Sequence, residues 1–398
     1  MKKIILLLVL AAIVLFMACE ASDPTQPNLN VTVQQLLLRK MVAVGNSLTA
    51  GFQSAGLVED FQLHSYPYLI AKQMGQGNNF QQPLIASPGI GSTPGKTPMK
   101  FVNGQIVVED LTENPMNLLK NLELERPYDN LGVPGADAND VLNTVDASGG
   151  NPFFNIVLRN WSPNPNDTTF GNMTQLEQAL FLNPSLILLW IGNNDVLGAA
   201  LSGGDPNQIT SQSDFQSRMT QILTTITQKS RARVVMANIP YVTDIPFVNT
   251  LDGIFHDSPA LGITTPVPVV FDATLQPVLL DPNTGLYLPL LTEETGVVNV
   301  LLPALSAYSS IGLGIPDSAA MVNVFGFPAP QAKFIENALI TAGLNPSGIP
   351  IPGTLTLTAA EISTIKDAVD GFNQTLTTLA GQFQVPLVDA NAMLTTLN

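Results

Sequence analysis

Cysteine is almost missing from this 398-residue chain: Cys19 is the single one, and histidine occurs twice, as His64 and His256. One thiol excludes an internal disulfide, a zinc site built on paired cysteines and an iron–sulfur cluster. Two histidines leave little room for a His-rich metal site. Positive charge is scarce as well. The 16 Lys and Arg stand against 31 Asp and Glu, a net charge of −15, so a phosphate backbone would be repelled and no nucleic-acid partner is expected. A neutral or cationic small molecule is easier to accommodate. No residue pattern calls for a cofactor, and the Asp/Asn-rich stretches Asn164 to Asp167 and Asp281 to Asn283 lack the regular ligand spacing of a calcium loop and read as turns. The length allows two or three average domains, or one α/β domain with long insertions.

What is present begins at the amino terminus. Lys2 and Lys3 are followed by an uncharged apolar run, Ile4 to Ala18, too short to span comfortably a bilayer that needs about 20 apolar residues. It reads as a signal peptide over 1–18. Phe16-Met17-Ala18-Cys19 resembles the lipobox of bacterial lipoproteins, which would make Cys19 the lipid-attachment residue and the membrane a partner through that anchor. Glu20 follows, where Asp commonly retains a lipoprotein in the inner membrane, so the expected location is the cell envelope at the outer membrane. Residues 19–36, with Pro24 and Pro27 and no periodicity, read as a flexible tether.

The folded part is expected over 37–398. Lys40 to Val44, ending on Gly45, is a short apolar run of the kind a buried parallel strand shows. Leu186 to Ile191, Arg233 to Met236 and Val385 to Val388 read likewise. Helical stretches lie between them: one starting near Ser65, then Asp137 to Val145, Thr174 to Phe181, Ser213 to Lys229 and Ala359 to Ala380. Such alternation predicts an α/β layer architecture on a parallel sheet. A Gly/Pro-rich flap over about 80–125 carries a hairpin turn at Val102-Asn103-Gly104-Gln105, and a lid-like insertion over about 241–357 carries another around Asp281 to Gly285. Trp161 and Trp190 read as core or partly buried aromatics.

Three segments carry chemistry. Gly45-Asn46-Ser47-Leu48 puts a serine at the carboxyl edge of the first strand, where open α/β sheets bind ligands. Taken alone, it reads more readily as a serine in a strand-to-helix turn that caps a helix. Asn130-Leu131-Gly132-Val133-Pro134-Gly135 precedes a helix, so a Gly135 N–H can face an anion with no side chain in the way. Gly192-Asn193-Asn194-Asp195 ends the most hydrophobic strand and offers the Asn194 amide at the same edge. A serine, a free N–H and an amide donor are the parts of a nucleophile and an oxyanion hole.

In this order the three segments resemble the SGNH/GDSL hydrolase family: its Gly-Asp-Ser-Leu first block, its second-block glycine and its third-block Gly-x-Asn-Asp. Ser47 and Gly135 are 88 residues apart, Gly135 and Asn194 59 apart, and Asn46 replaces the family's usual Asp. The resemblance implies a flavodoxin-like three-layer α/β/α sandwich and hydrolysis of carboxylic esters, by an esterase or lipase acting on a small-molecule ester such as a lipid or an acylated glycan. It makes Ser47 the nucleophile, and the Ser47 and Gly135 N–H groups with the Asn194 amide the oxyanion donors.

The family's fourth block, Asp-x-x-His after the last strand, is not in the sequence. The expectation is that the block belongs to a longer protein, beyond Asn398. The alternative is a catalytically incomplete surface lipoprotein that binds a lipid or glycan. His256, preceded by Asp252 at a spacing one residue too long, reads as an ordinary lid histidine, and His64 as a polar residue at a helix start.

Overall fold

The computed structural model describes residues 39–102, 105–161, 172–251, 255–258, 263–274 and 276–396. The apolar amino-terminal run, Cys19, the tether, the Asn/Asp stretch at 164–167 and Asp252 lie outside them. Among the described residues no helix is long and apolar enough to cross a membrane.

Five parallel strands form the central sheet: β1 (Met41–Gly45), β2 (Asn130–Gly132), β3 (Leu186–Trp190), β4 (Arg233–Ala237) and β5 (Leu387–Val388). Their spatial order is β5-β4-β3-β1-β2, which is the flavodoxin-like order read from the far edge. The order reverses between β1 and β3, so the crevice at their carboxyl ends is the topological switch point where such sheets bind ligands.

Alternation along the strands assigns the two faces. Met41 and Ala43 of β1 and Leu188 of β3 pack with Ala71 of α2 (Tyr66–Gln73) on one side. Val42, Val44, Ile187, Leu189, Val234 and Met236 belong to the larger cluster on the other side. That cluster includes α3 (Ala138–Asn143), α4 (Gln175–Phe181), α6 (Gln212–Lys229) and α7 (Ala359–Phe383). Both faces are covered, which is why the strands read as continuous apolar runs. The short α1 (Ser47–Ala50) follows β1, α5 (Asn194–Leu201) follows β3, and α8 (Ala390–Thr395) follows β5.

The longest helix shows how local sequence fixes an element. Thr358 caps α7, its hydroxyl accepting from the Glu361 N–H while the Glu361 carboxylate returns to the Thr358 N–H at 2.7 Å, a reciprocal pair that satisfies two otherwise orphaned donors. Ile365, Val369, Phe372, Leu376 and Leu379 then recur at steps of three and four and are buried, one stripe facing the sheet. Phe372 stacks on Phe215 of α6 with ring centroids 4.2 Å apart.

Two excursions leave the sheet. In the first, Lys100–Val102 pairs antiparallel with Gln105–Val107, Val102 opposite Gln105, the hairpin that Asn103-Gly104 encodes. Ile85, Ile90, Leu118 and Leu119 tie this excursion to the main core. The second, between β4 and α7, has a hydrophobic cluster of its own, including Val270, Leu290, Leu313, Met321 and Ile351. Within it Phe271 stacks on Tyr308 at 4.0 Å. Asp281 Oδ1 accepts the Asn283 N–H at 2.8 Å, which closes the hairpin turn between Leu279–Asp281 and Leu286–Tyr287. Three helices not marked out from the sequence belong to this unit, at Ala304–Ile311, Ser318–Asn323 and Ala329–Thr341. Trp190 is partly buried edge-on to Tyr66, whereas Trp161 is 36% exposed, its indole N–H donating to the Asn155 carbonyl.

Candidate active site

The site is built from the carboxyl ends of β1, β2 and β3. Gly45 lies in register with Gly132 on one side and Trp190 on the other. Ser47, Gly135 and Asn194 follow these positions by two, three and four residues, so the sheet brings the three sequence blocks to one edge. Gly45 must be glycine for the turn to close: a Cβ there would lie 2.1 Å from Thr49 Oγ1 and 2.4 Å from the Trp190 carbonyl.

Ser47 is the first residue of α1, half-buried, with Asn46 as the cap. The Asn46 side chain is fully buried, and Oδ1 accepts the Leu48 N–H at 3.1 Å. That leaves Nδ2 to donate to Asn193 Oδ1 at 2.9 Å, which fastens the first block to the third. The Ser47 N–H is among those a helix start leaves without a partner, and neither it nor Oγ is hydrogen-bonded among the described residues.

Gly135 is exposed and has φ +85°, a left-handed backbone that glycine adopts without strain. Its N–H likewise has no acceptor among the described residues. Asn194 is half-buried, and its Nδ2 donates to the Ala136 carbonyl at 2.7 Å. One amide hydrogen thus anchors it beside Gly135 and the second is left over.

Several residues that hold this edge carried no sequence signal. Gln175, fully buried in the first turn of α4, donates through Nε2 to the Gly45 carbonyl at 2.6 Å and to the Leu131 carbonyl. Asn130 Nδ2 reaches the Thr49 carbonyl at 2.9 Å, and Asn130 Oδ1 accepts the Gly132 N–H at 3.0 Å. A glutamine on a helix and an asparagine on a short strand look like solvated residues until the fold buries them. Asp195 stood in the third block and has its own place: Oδ2 accepts the Ala138 N–H of α3 at 2.9 Å, while Oδ1 faces Arg218 Nη1 at 3.7 Å, beyond hydrogen-bond range. Burial raises the Asp195 carboxyl to about 7, and the nearby Asp137 pushes the same way, against the Ala138 N–H and Arg218.

Neither histidine has a hydrogen bond to Ser47 among the described residues. His64 is exposed and its Nδ1 is 2.6 Å from the Asp60 carbonyl. His256 is placed by its backbone, opposite Val267 in a two-stranded sheet of the second excursion. After β5, Asp389 caps α8 through the Ala392 N–H at 3.0 Å and accepts Asn238 Nδ2 at 2.8 Å. The Ala392 bond, and after it Asn238, hold its carboxyl below the usual range. No group of three or more His, Cys, Asp or Glu side chains is placed to hold a metal ion among the described residues.

A flavodoxin-like sheet with a serine at the end of its first strand is the frame of an SGNH-type hydrolase. Residues 41–300, well over half the chain, match the family model of the GDSL-like lipases and acylhydrolases, and the chain belongs to that family. The family's chemistry is acyl hydrolysis of the esterase or lipase type. No curated protein and no solved structure matches the chain.

Proposed function

We propose that the protein is a lipid-anchored carboxylic ester hydrolase of the outer membrane in which Ser47 attacks the acyl carbonyl. The Ser47 and Gly135 N–H groups and the spare Asn194 amide hydrogen receive the developing oxyanion, and the serine proton passes to a histidine base. The observation that supports this reading is the register of Gly45 with Gly132 and Trp190, since the segments carrying Ser47, Gly135 and Asn194 follow these positions along one sheet edge. Oxyanion donors act because they are fixed before the charge develops. Cys19 carries the lipid, and the tether holds the fold off the membrane.

The test is hydrolysis of short-chain aryl esters by the full-length lipoprotein. Ser47→Ala should abolish turnover, and Asn194→Ala should lower kcat by about 10²–10³. Turnover that survives Ser47→Ala at the wild-type rate would refute the assignment. Acyl labelling in cells should be lost in Cys19→Ser, and the labelled protein should fractionate with the outer membrane.

A second reading, a surface lipoprotein that binds a lipid or glycan without cleaving it, is favoured by one observation: the exposed His64 has its Nδ1 engaged by the Asp60 carbonyl at 2.6 Å. It predicts ligand binding with no ester turnover in any form of the gene product.

A further inference from the structure

A cleft of about 640 Å³ opens between the two excursions. One wall is the first excursion, with Met99, Ile106 and Val108; the other is the second, with Phe247, Leu302 and Leu305. Its size falls within the roughly 300–1,000 Å³ of small-molecule sites. The depression along α6 differs: Ser, Thr and Gln side chains of that single helix line it, with no second wall.

We infer that this cleft takes the aliphatic acyl chain of the ester, which makes the protein selective for medium to long chains; the inference rests on the hydrolase reading above. None of the eleven lining residues carries a charge, in a chain whose net charge is −15. An ionic ligand would lose its hydration there with nothing to pair it. The polar lining consists of Ser306, Ser309 and Ser310 on the helix Ala304–Ile311. Ser309 donates to the Leu305 carbonyl at 2.9 Å and Ser310 to the Ser306 carbonyl at 2.8 Å. Their protons are therefore engaged inside the helix, and the wall they present is weakly polar.

The first wall is tied to the segment that follows Ser47. The Met99 N–H donates to the Ser54 carbonyl at 2.8 Å, in the turn after α1. In the second wall the Phe247 carbonyl accepts the Leu302 N–H at 2.9 Å, which joins two of its lining segments. A ligand lying between these walls meets no charge along its length, and the Met99–Ser54 bond ties one wall to the turn after α1, which suits the aliphatic tail of an acyl ester.

The test reads binding without turnover. A hydrophobic fluorophore, 1-N-phenylnaphthylamine, is bound to the full-length protein and displaced by methyl ketones from 2-hexanone to 2-tetradecanone, ester isosteres that cannot be hydrolysed. Affinity should rise about threefold to fourfold per methylene, from the transfer of apolar surface, and then level off as the cleft fills. Ser309→Trp should flatten the series and Val108→Asp should weaken the longest ketone at least tenfold. Both positions are exposed, so thermal midpoints should stay at the wild-type value. Affinity independent of chain length, or a series unchanged in both variants, overturns the inference. So does binding that appears only in Cys19→Ser, which would make the protein's own lipid the occupant. Chain-length-dependent binding in a protein with no ester turnover upholds the cleft and sinks the hydrolase reading. Turnover of butanoate and dodecanoate esters at equal kcat/KM, with no binding in the series, does the reverse.

Discussion

Asn46 occupies the place where the family usually has Asp, and its replacement by alanine isolates what the side chain does. Asn46→Ala removes two bonds at once: Oδ1 no longer caps the Leu48 N–H, and Asn193 Oδ1 loses the donor 2.9 Å away. Loss of an N-cap costs about 1 kcal/mol, within 0.5–2. An acceptor left buried without a partner costs about 1–3 kcal/mol, and Asn193 is only 6% exposed. The variant should lose about 2–4 kcal/mol by these two effects. Asn46→Asp separates them. A carboxylate still caps Leu48, and the Asn193 amide, whose Nδ2 has no acceptor among the described residues, can turn over to donate to it. The charge-assisted bond offsets part of the desolvation of the carboxylate, so this variant should stay within about 1 kcal/mol of wild type. Urea unfolding followed by tryptophan fluorescence, with ester turnover measured in parallel, gives both numbers. The reasoning fails if Asn46→Ala unfolds within 0.5 kcal/mol of wild type by the scale of a lost cap, or if Asn46→Asp falls as far as Asn46→Ala.

Three further outcomes are expected. Asp195 has its carboxyl raised to about 7 by burial, so the folded protein holds a proton there more tightly than the unfolded chain. Stability should therefore fall by a few kcal/mol as pH rises from about 4 to about 7, then level off. Asp195→Asn should remove that slope in pH-resolved urea melts, and a slope unchanged in the variant would disprove the assignment. Gly135→Ala forces a Cβ onto a left-handed backbone and to 2.8 Å from Asn151 Nδ2; it should cost about 1–2 kcal/mol and lower kcat more than KM, measured in the aryl-ester assay. Phe372→Ala, fully buried against Phe215, should cost about 3–5 kcal/mol in the same melts.

The strands β1, β3 and β4 were legible because each is a run of apolar residues covered on both faces. β2 was not, since Asn130-Leu131-Gly132 is three residues long and opens on an asparagine. That asparagine can be buried because Thr49, Gln82 and Gly132 satisfy its amide, and a single sequence does not display partners 81 residues away. The starts of α4 and α7 were legible, at Thr174 and Ala359, and there Thr174 and Thr358 act as caps with Glu177 and Glu361. Ser47, Gly135 and Asn194 were named from their residue types, but Gln175 was invisible, because its role depends on two carbonyls that tertiary folding delivers. The helices of the second excursion escaped notice for a related reason. Their apolar faces pack on each other and on short strands, so the stripe in Ala329–Thr341 is only Ala332, Ile335 and Leu339, too sparse to stand out between prolines.

The second excursion's separate hydrophobic cluster has a consequence for how the protein comes apart. Val297–Val300 pairs with Thr356–Thr358, so the chain returns to the main fold through a ladder of its own. Two clusters joined in this way need not melt together: the smaller can open while the sheet that carries Ser47 stays closed. Proteolysis or hydrogen exchange would then report two cooperative units in one chain, and a single unfolding temperature would describe neither of them.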